Sequence, residues 1–141
     1  MVSPASVYGV FVQVSSVSQF TITQSTINYD FTIKSAGFAG AQAEYFDTVV
    51  TLTNMDASTA ITSFTLTFKY YSDYGTTEIP GSSYTHTYTQ SVAAGASADI
   101  TYRASLGSLG GLNVRRVQVT VSNIVPSAFV NQKTVYQDIS Y

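Results

Sequence analysis

Thr62-Ser63-Phe64-Thr65-Leu66-Thr67-Phe68-Lys69-Tyr70-Tyr71 alternates by side: Phe64, Leu66, Phe68 and Tyr70 share one face, opposite Ser63, Thr65, Thr67 and Lys69. Successive side chains of an extended chain point to opposite faces, so this spacing predicts a strand with one apolar and one wet side. The same period runs outward in both directions. Upstream, Ile27, Tyr29, Phe31 and Ile33 oppose Asn28, Asp30, Thr32 and Lys34; downstream, Val117, Val119 and Val121 alternate with Arg116, Gln118 and Thr120 within Asn113–Ile124. Further strands are expected at Val7–Val14, Gln19–Thr23, Phe46–Thr53, Tyr84–Gln90, Ala98–Arg103 and Phe129–Tyr136, about nine in all.

Turn residues punctuate these runs: Ser35-Ala36-Gly37, Asn54-Met55-Asp56-Ala57-Ser58, Asp73-Tyr74-Gly75, Pro80-Gly81, Ala93-Ala94-Gly95 and the Gly107–Gly111 loop. Short alternating strands with Gly and Asx turns predict an all-β fold, an immunoglobulin-like antiparallel β-sandwich of about seven to nine strands. Helical periodicity is lacking, apart from one short helical turn expected within Ala36–Tyr45. Without a visible repeat or linker, residues 1–141 read as one domain, within the usual size range. The ends, 2–14 and 127–141, read as edge strands of the same sandwich or as donor strands that complete a neighbour's open edge.

Composition narrows the function. Charged residues make up 10% of the chain, against roughly 25% in an ordinary soluble domain. Nineteen Ser, 19 Thr and 11 Tyr stand in their place. A hydroxyl surface neither titrates in acid nor is screened by salt, which suits an acidic or variable habitat; strand propensity alone also enriches Thr and Tyr. The net charge of −2 and six dispersed Lys and Arg argue against a nucleic-acid partner, which calls for clustered cations. With no cysteine, disulfides and thiol chemistry are excluded. No apolar run reaches the ~18 residues of a membrane-spanning helix, so no membrane insertion by this chain is expected.

The inventory for catalysis is small. His86 is the only histidine and sits in Tyr84-Thr85-His86-Thr87-Tyr88 on the same side as both tyrosines, which predicts an aromatic cross-strand cluster and not a catalytic triad. Eight dispersed carboxylates offer no acidic loop. Asn54, Asp56 and Ser58 could supply alternate oxygens to calcium, but Asx capping of a turn is the simpler reading. The Gly107–Gly111 loop lacks the Lys-Ser/Thr and following helix of a phosphate cradle. Lys34 and Lys69 lie on polar faces, which argues against a buried isopeptide link to an asparagine. No catalytic residue, cofactor or metal site is therefore assigned. Eleven tyrosines raise a carbohydrate-binding accessory module as an alternative, yet Trp is absent and Tyr29, Tyr70, Tyr84, Tyr88 and Tyr102 share core-facing parity. Tyr8, Phe38, Tyr45, Tyr71, Tyr74 and Tyr141, in loops, at ends or off parity, are the candidate interaction residues.

Two stretches carry a resemblance. The first is Thr48-Val49-Val50-Thr51-Leu52-Thr53-Asn54, a small-residue turn and Ile61–Tyr70; the second is Ser91–Tyr102 followed by Val117–Val121. Together, over roughly residues 46 to 124, they resemble the soluble immunoglobulin-like domains of archaeal surface-filament proteins, the archaellins and the archaellum accessory stator subunits. That resemblance implies an extracellular or cell-surface, non-catalytic domain that builds a filament or anchors it, through self-association or contact with a surface-layer or filament protein. Those proteins begin with a long hydrophobic helix that this sequence does not show. Either it was removed, or the chain is another user of the sandwich, such as a virion or pilus subunit polymerising by strand addition.

Overall fold

The computed structural model describes residues 26–74, 77–109 and 113–140. Within them lie seven strands: β1 (Tyr29–Ala39), β2 (Tyr45–Asn54), β3 (Ser63–Tyr71), β4 (Tyr84–Tyr88), β5 (Ser97–Ser105), β6 (Arg116–Val125) and β7 (Lys133–Asp138). A single 3-10 turn, Leu106–Leu109, follows β5. The strands form two antiparallel sheets, β1-β2-β5 and β4-β3-β6-β7. In the constant-type immunoglobulin arrangement the fourth strand joins the first sheet. Here β4 hydrogen-bonds to β3 instead, so the sheets hold three and four strands.

The strand-forming stretches are those with period-two alternation, and their apolar faces meet between the sheets. Phe64, Leu66, Phe68 and Tyr70 of β3 are fully buried against Val50, Leu52 and Phe46 of β2 and Val117, Val119 and Val121 of β6. Each such large side chain taken out of water contributes about 1.5–3 kcal/mol. The core is almost wholly hydrocarbon and ring. Its polar exceptions include the Tyr29 and Tyr70 hydroxyls and Thr48 Oγ1, which are buried without a well-formed hydrogen bond.

Several expectations need correction. Ser35-Ala36-Gly37 is strand and not turn, and Ala36–Ala39 belong to β1 and not to a helical turn. The chain reverses instead at Gly40–Ala43, closed by Ala43 N–H donating to Gly40 O at 3.2 Å, with both end residues at positive φ. A bulge makes the longer strand possible. Ile33 pairs with Val50 and Ser35 with Val49, so Lys34 is an extra residue and parity reverses beyond it. A second bulge lies in β6, where Asn123 and Ile124 oppose Phe64 alone; Asn123 takes the left-handed conformation (φ 51°) and Ile124 turns inward. β7 begins at Lys133, later than the expected Phe129; Phe129 instead is buried and bridges in parallel to Ile27. The strands expected at Val7–Val14 and Gln19–Thr23 lie outside the described residues.

The two lateral seams differ. On one, β1 lies against β7, joined by the Ile27–Phe129 bridge and by Lys133, whose ammonium donates to Tyr29 O (2.6 Å) and Asn28 Oδ1 (2.7 Å) and sits 4.7 Å from the Tyr29 ring centroid. On the other, β4 faces β5, and the Tyr84 and Tyr102 rings stack between them.

Candidate interaction surface

On β4, alternation turns Tyr84, His86 and Tyr88 toward the other sheet. Among the described residues both β4 and the facing β5 are sheet edges. Tyr102 of β5 stacks on Tyr84 at 4.1 Å with planes 2° apart, and its far neighbour is Phe68 at 5.0 Å. His86 lies 6.2 Å from Tyr84 in near-parallel planes and 4.6 Å edge-on from Tyr88, which stacks on Phe64 at 5.5 Å. Tyr84, Tyr88 and Tyr102 are half-buried, and His86 is exposed. Partial burial pushes the Tyr88 and Tyr102 phenols up from their ordinary pKa, so both remain protonated donors across the neutral range.

Among the described residues the backbone at this seam has no strand partner. Asn54 N–H donates to Ala96 O at 2.9 Å, and β5 pairs with β2 without a bulge. Antiparallel alternation then turns the amides and carbonyls of Ala98, Ile100 and Tyr102 toward β2 and those of Asp99, Thr101 and Arg103 away from it. No described strand lies on that outer side.

The charged side chains of β5 are committed to its own sheet. Asp99 accepts from Lys34 at 2.7 Å and from Thr51 at 2.8 Å, and those two hydrogen bonds hold its carboxyl below the usual range. Arg103 forms a bidentate pair with Asp47, both bonds 2.8 Å, and lies 4.5 Å from the Tyr45 ring centroid. The Arg103 hydrogen bond lowers the Asp47 pKa likewise. Arg116 repeats this arrangement on the second sheet, paired to Asp138 over the Tyr136 ring.

Of the six residues singled out from sequence, Tyr8 and Tyr141 lie outside the described residues. The other four gather at one end of the sandwich, where Phe46 meets Tyr70 ring to ring at 5.8 Å. They do not merge into one surface. Phe38 is half-buried, packed edge-on to Phe46 at 5.0 Å, because the Lys34 bulge turned it inward. Tyr45 lies at the rim under Arg103. Tyr71 is half-buried at the end of β3, and Tyr74 is 51% exposed with its hydroxyl donating to Ile139 O at 3.0 Å.

The Tyr84–His86–Tyr88–Tyr102 cluster was only half legible. Alternation placed the three β4 rings on one side, but nothing in the chain says that β4 and β5 are facing edges. In the Asn54–Ser58 loop the side-chain oxygens serve the backbone. Asn54 Oδ1 accepts from Asp56 N–H, and Asp56 Oδ2 accepts from the Ser58 and Thr59 amides, which lower the Asp56 pKa. Compared with known proteins, the chain matches no family model and no curated protein.

Proposed function

We propose that the chain is a non-catalytic structural or interaction domain of an extracellular assembly, a subunit or anchor of an archaellum-like surface filament working through protein–protein contacts. The observation that carries this reading is the β4/β5 seam, where half-covered tyrosines lie beside an outward-facing row of backbone amides and carbonyls. Tyrosine is a preferred hot-spot residue, and an open strand edge recruits another polypeptide by main-chain hydrogen bonding. A sugar needs free ring faces, whereas Tyr84 and Tyr102 cover each other's faces. That favours a protein partner over a carbohydrate. The sandwich pattern over residues 46–124 supports a place among archaeal surface proteins, and the open edge equally supports a virion or pilus subunit. Mass measured by light scattering over a wide concentration range tests the reading. A subunit grows with concentration; an anchor keeps its size and is retained by immobilised surface-layer protein. A chain that neither grows nor is retained overturns it.

A further inference from the structure

Among the described residues four strand edges border the two sheets, and three of them carry features that discourage pairing. β4 and β7 are short, five and six residues. β1 is broken by its bulge, and its Tyr29 carbonyl is taken by Lys133. Short strands, bulges and lysines are the ordinary means by which an edge is made unattractive to another chain. β5 has none of them. It is nine residues long, contains no Pro, Gly or Lys, and pairs with β2 in unbroken register. Its two charged side chains, Asp99 and Arg103, lean across the sheet to Thr51, Lys34 and Asp47 and so leave the backbone edge unguarded. The inward side of the edge opens onto the half-buried rings of Tyr102, Tyr84 and Tyr88.

The chain itself contains a segment suited to that edge. In Val7-Tyr8-Gly9-Val10-Phe11-Val12-Gln13-Val14, the residues Tyr8, Val10, Val12 and Val14 form one apolar row at period two, and no charge or proline interrupts it. At ~3.3 Å per residue its eight residues span ~26 Å, enough to follow nearly all of β5. The segment lies before the first described residue, Thr26.

We propose that Val7–Val14 of one copy adds as a strand to the open edge of β5 in a second copy, with its Tyr8–Val14 row laid over Tyr102, Tyr84 and Tyr88. The inference rests on the reading of the chain as a contact-making domain and names both halves of the contact. Each copy then carries one donor and one acceptor, a head-to-tail relation that propagates into a filament unless its rotation closes a ring.

Two full-length variants test this. Thr101→Pro removes an amide that points away from β2 and blocks the acceptor; Thr101→Val, which keeps the amide, is its control, and circular dichroism checks that both retain the sheet. Val10→Asp with Val12→Asp places charge in the donor row. Wild type and Thr101→Val are expected to grow with concentration, and each blocked variant to stay monomeric by analytical ultracentrifugation. An equimolar mixture of the two blocked variants is expected to stop at a dimer, because one intact donor and one intact acceptor remain. If Thr101→Pro is folded yet still grows like wild type, or if the mixture stays monomeric, the assignment of donor and acceptor is wrong while the contact-making reading survives. A wild-type chain that stays monomeric because the segment docks on its own β5 overturns the proposal as well. Separate retention of that monomer by surface-layer protein then decides the broader reading.

Discussion

Asn54 draws three segments together at one corner of the sandwich. Its Nδ2 donates to Thr59 O (2.8 Å) and Val92 O (3.1 Å), its Oδ1 accepts from Asp56 N–H (3.0 Å), and the side chain is fully buried. The end of β2, the loop to β3 and the approach to β5 are thus tied by one amide. Asn54→Ala removes the side-chain partner of Thr59 O and of the Asp56 amide and leaves Val92 O with the Ile61 amide alone, and its expected cost is about 1–3 kcal/mol, read from urea unfolding. Asn54→Asp should be no better, because a carboxylate presents acceptors to two carbonyls. From sequence, Asn54 was legible as a turn residue by its type and its place after Leu52-Thr53. Its reach to Val92 was not, since that contact depends on where a segment 38 residues downstream returns.

At the scale of the element, the bulge at Lys34 governs what β1 presents. Before it the inward residues are Tyr29, Phe31 and Ile33; beyond it they are Ala36 and Phe38. A one-residue change of register sends every later side chain to the opposite face. Deleting Lys34 should therefore leave a regular strand in which Phe38 still faces Phe46, and should cost little, since the Lys34–Asp99 pair it removes is exposed. Persistence of the Phe38–Phe46 ring-current shifts in NMR spectra checks the geometry, and denaturant unfolding checks the energy. This explains why Ser35-Ala36-Gly37 read as a turn: small residues and a parity break mark a bulge as readily as a reversal. Alternation within a strand comes from local backbone geometry and is visible in the chain. Whether a break in it bends or ends the strand depends on β2, which continues to pair through Ala39.

Across the whole molecule, the displaced titrations predict a broad pH plateau with two edges. Asp47, Asp56, Asp99 and Asp138 are held below the ordinary carboxylate range, by Arg103, by the Ser58 and Thr59 amides, by Lys34 with Thr51, and by Arg116 respectively. Their contribution is present above the unfolded value of about 3.9 and is lost as pH falls through the lower folded values. These carboxylates are largely at the surface, so the acid edge is shallow. Tyrosines set the alkaline edge. Burial pushes Tyr29 up to about 12 and raises Tyr70, Tyr88 and Tyr102 as well. Their contribution is complete below the unfolded value of about 10 and disappears as pH rises through the folded values. Urea midpoints measured from pH 2 to 12 should be flat from about 5 to 9, slope gently on the acid side and fall steeply on the alkaline side. The sequence by itself determined that the described segments fold as strands, which of their residues turn inward up to each bulge, and that the composition is rich in hydroxyls, because side-chain alternation and composition are local properties of a polypeptide. Only the tertiary structure decided that β4 joins the second sheet, that Phe38 is drawn inward, and that β5, an edge among the described strands, lies over a row of tyrosines. Those outcomes follow from which strands become neighbours, and neighbourhood is settled by packing between segments far apart in the chain.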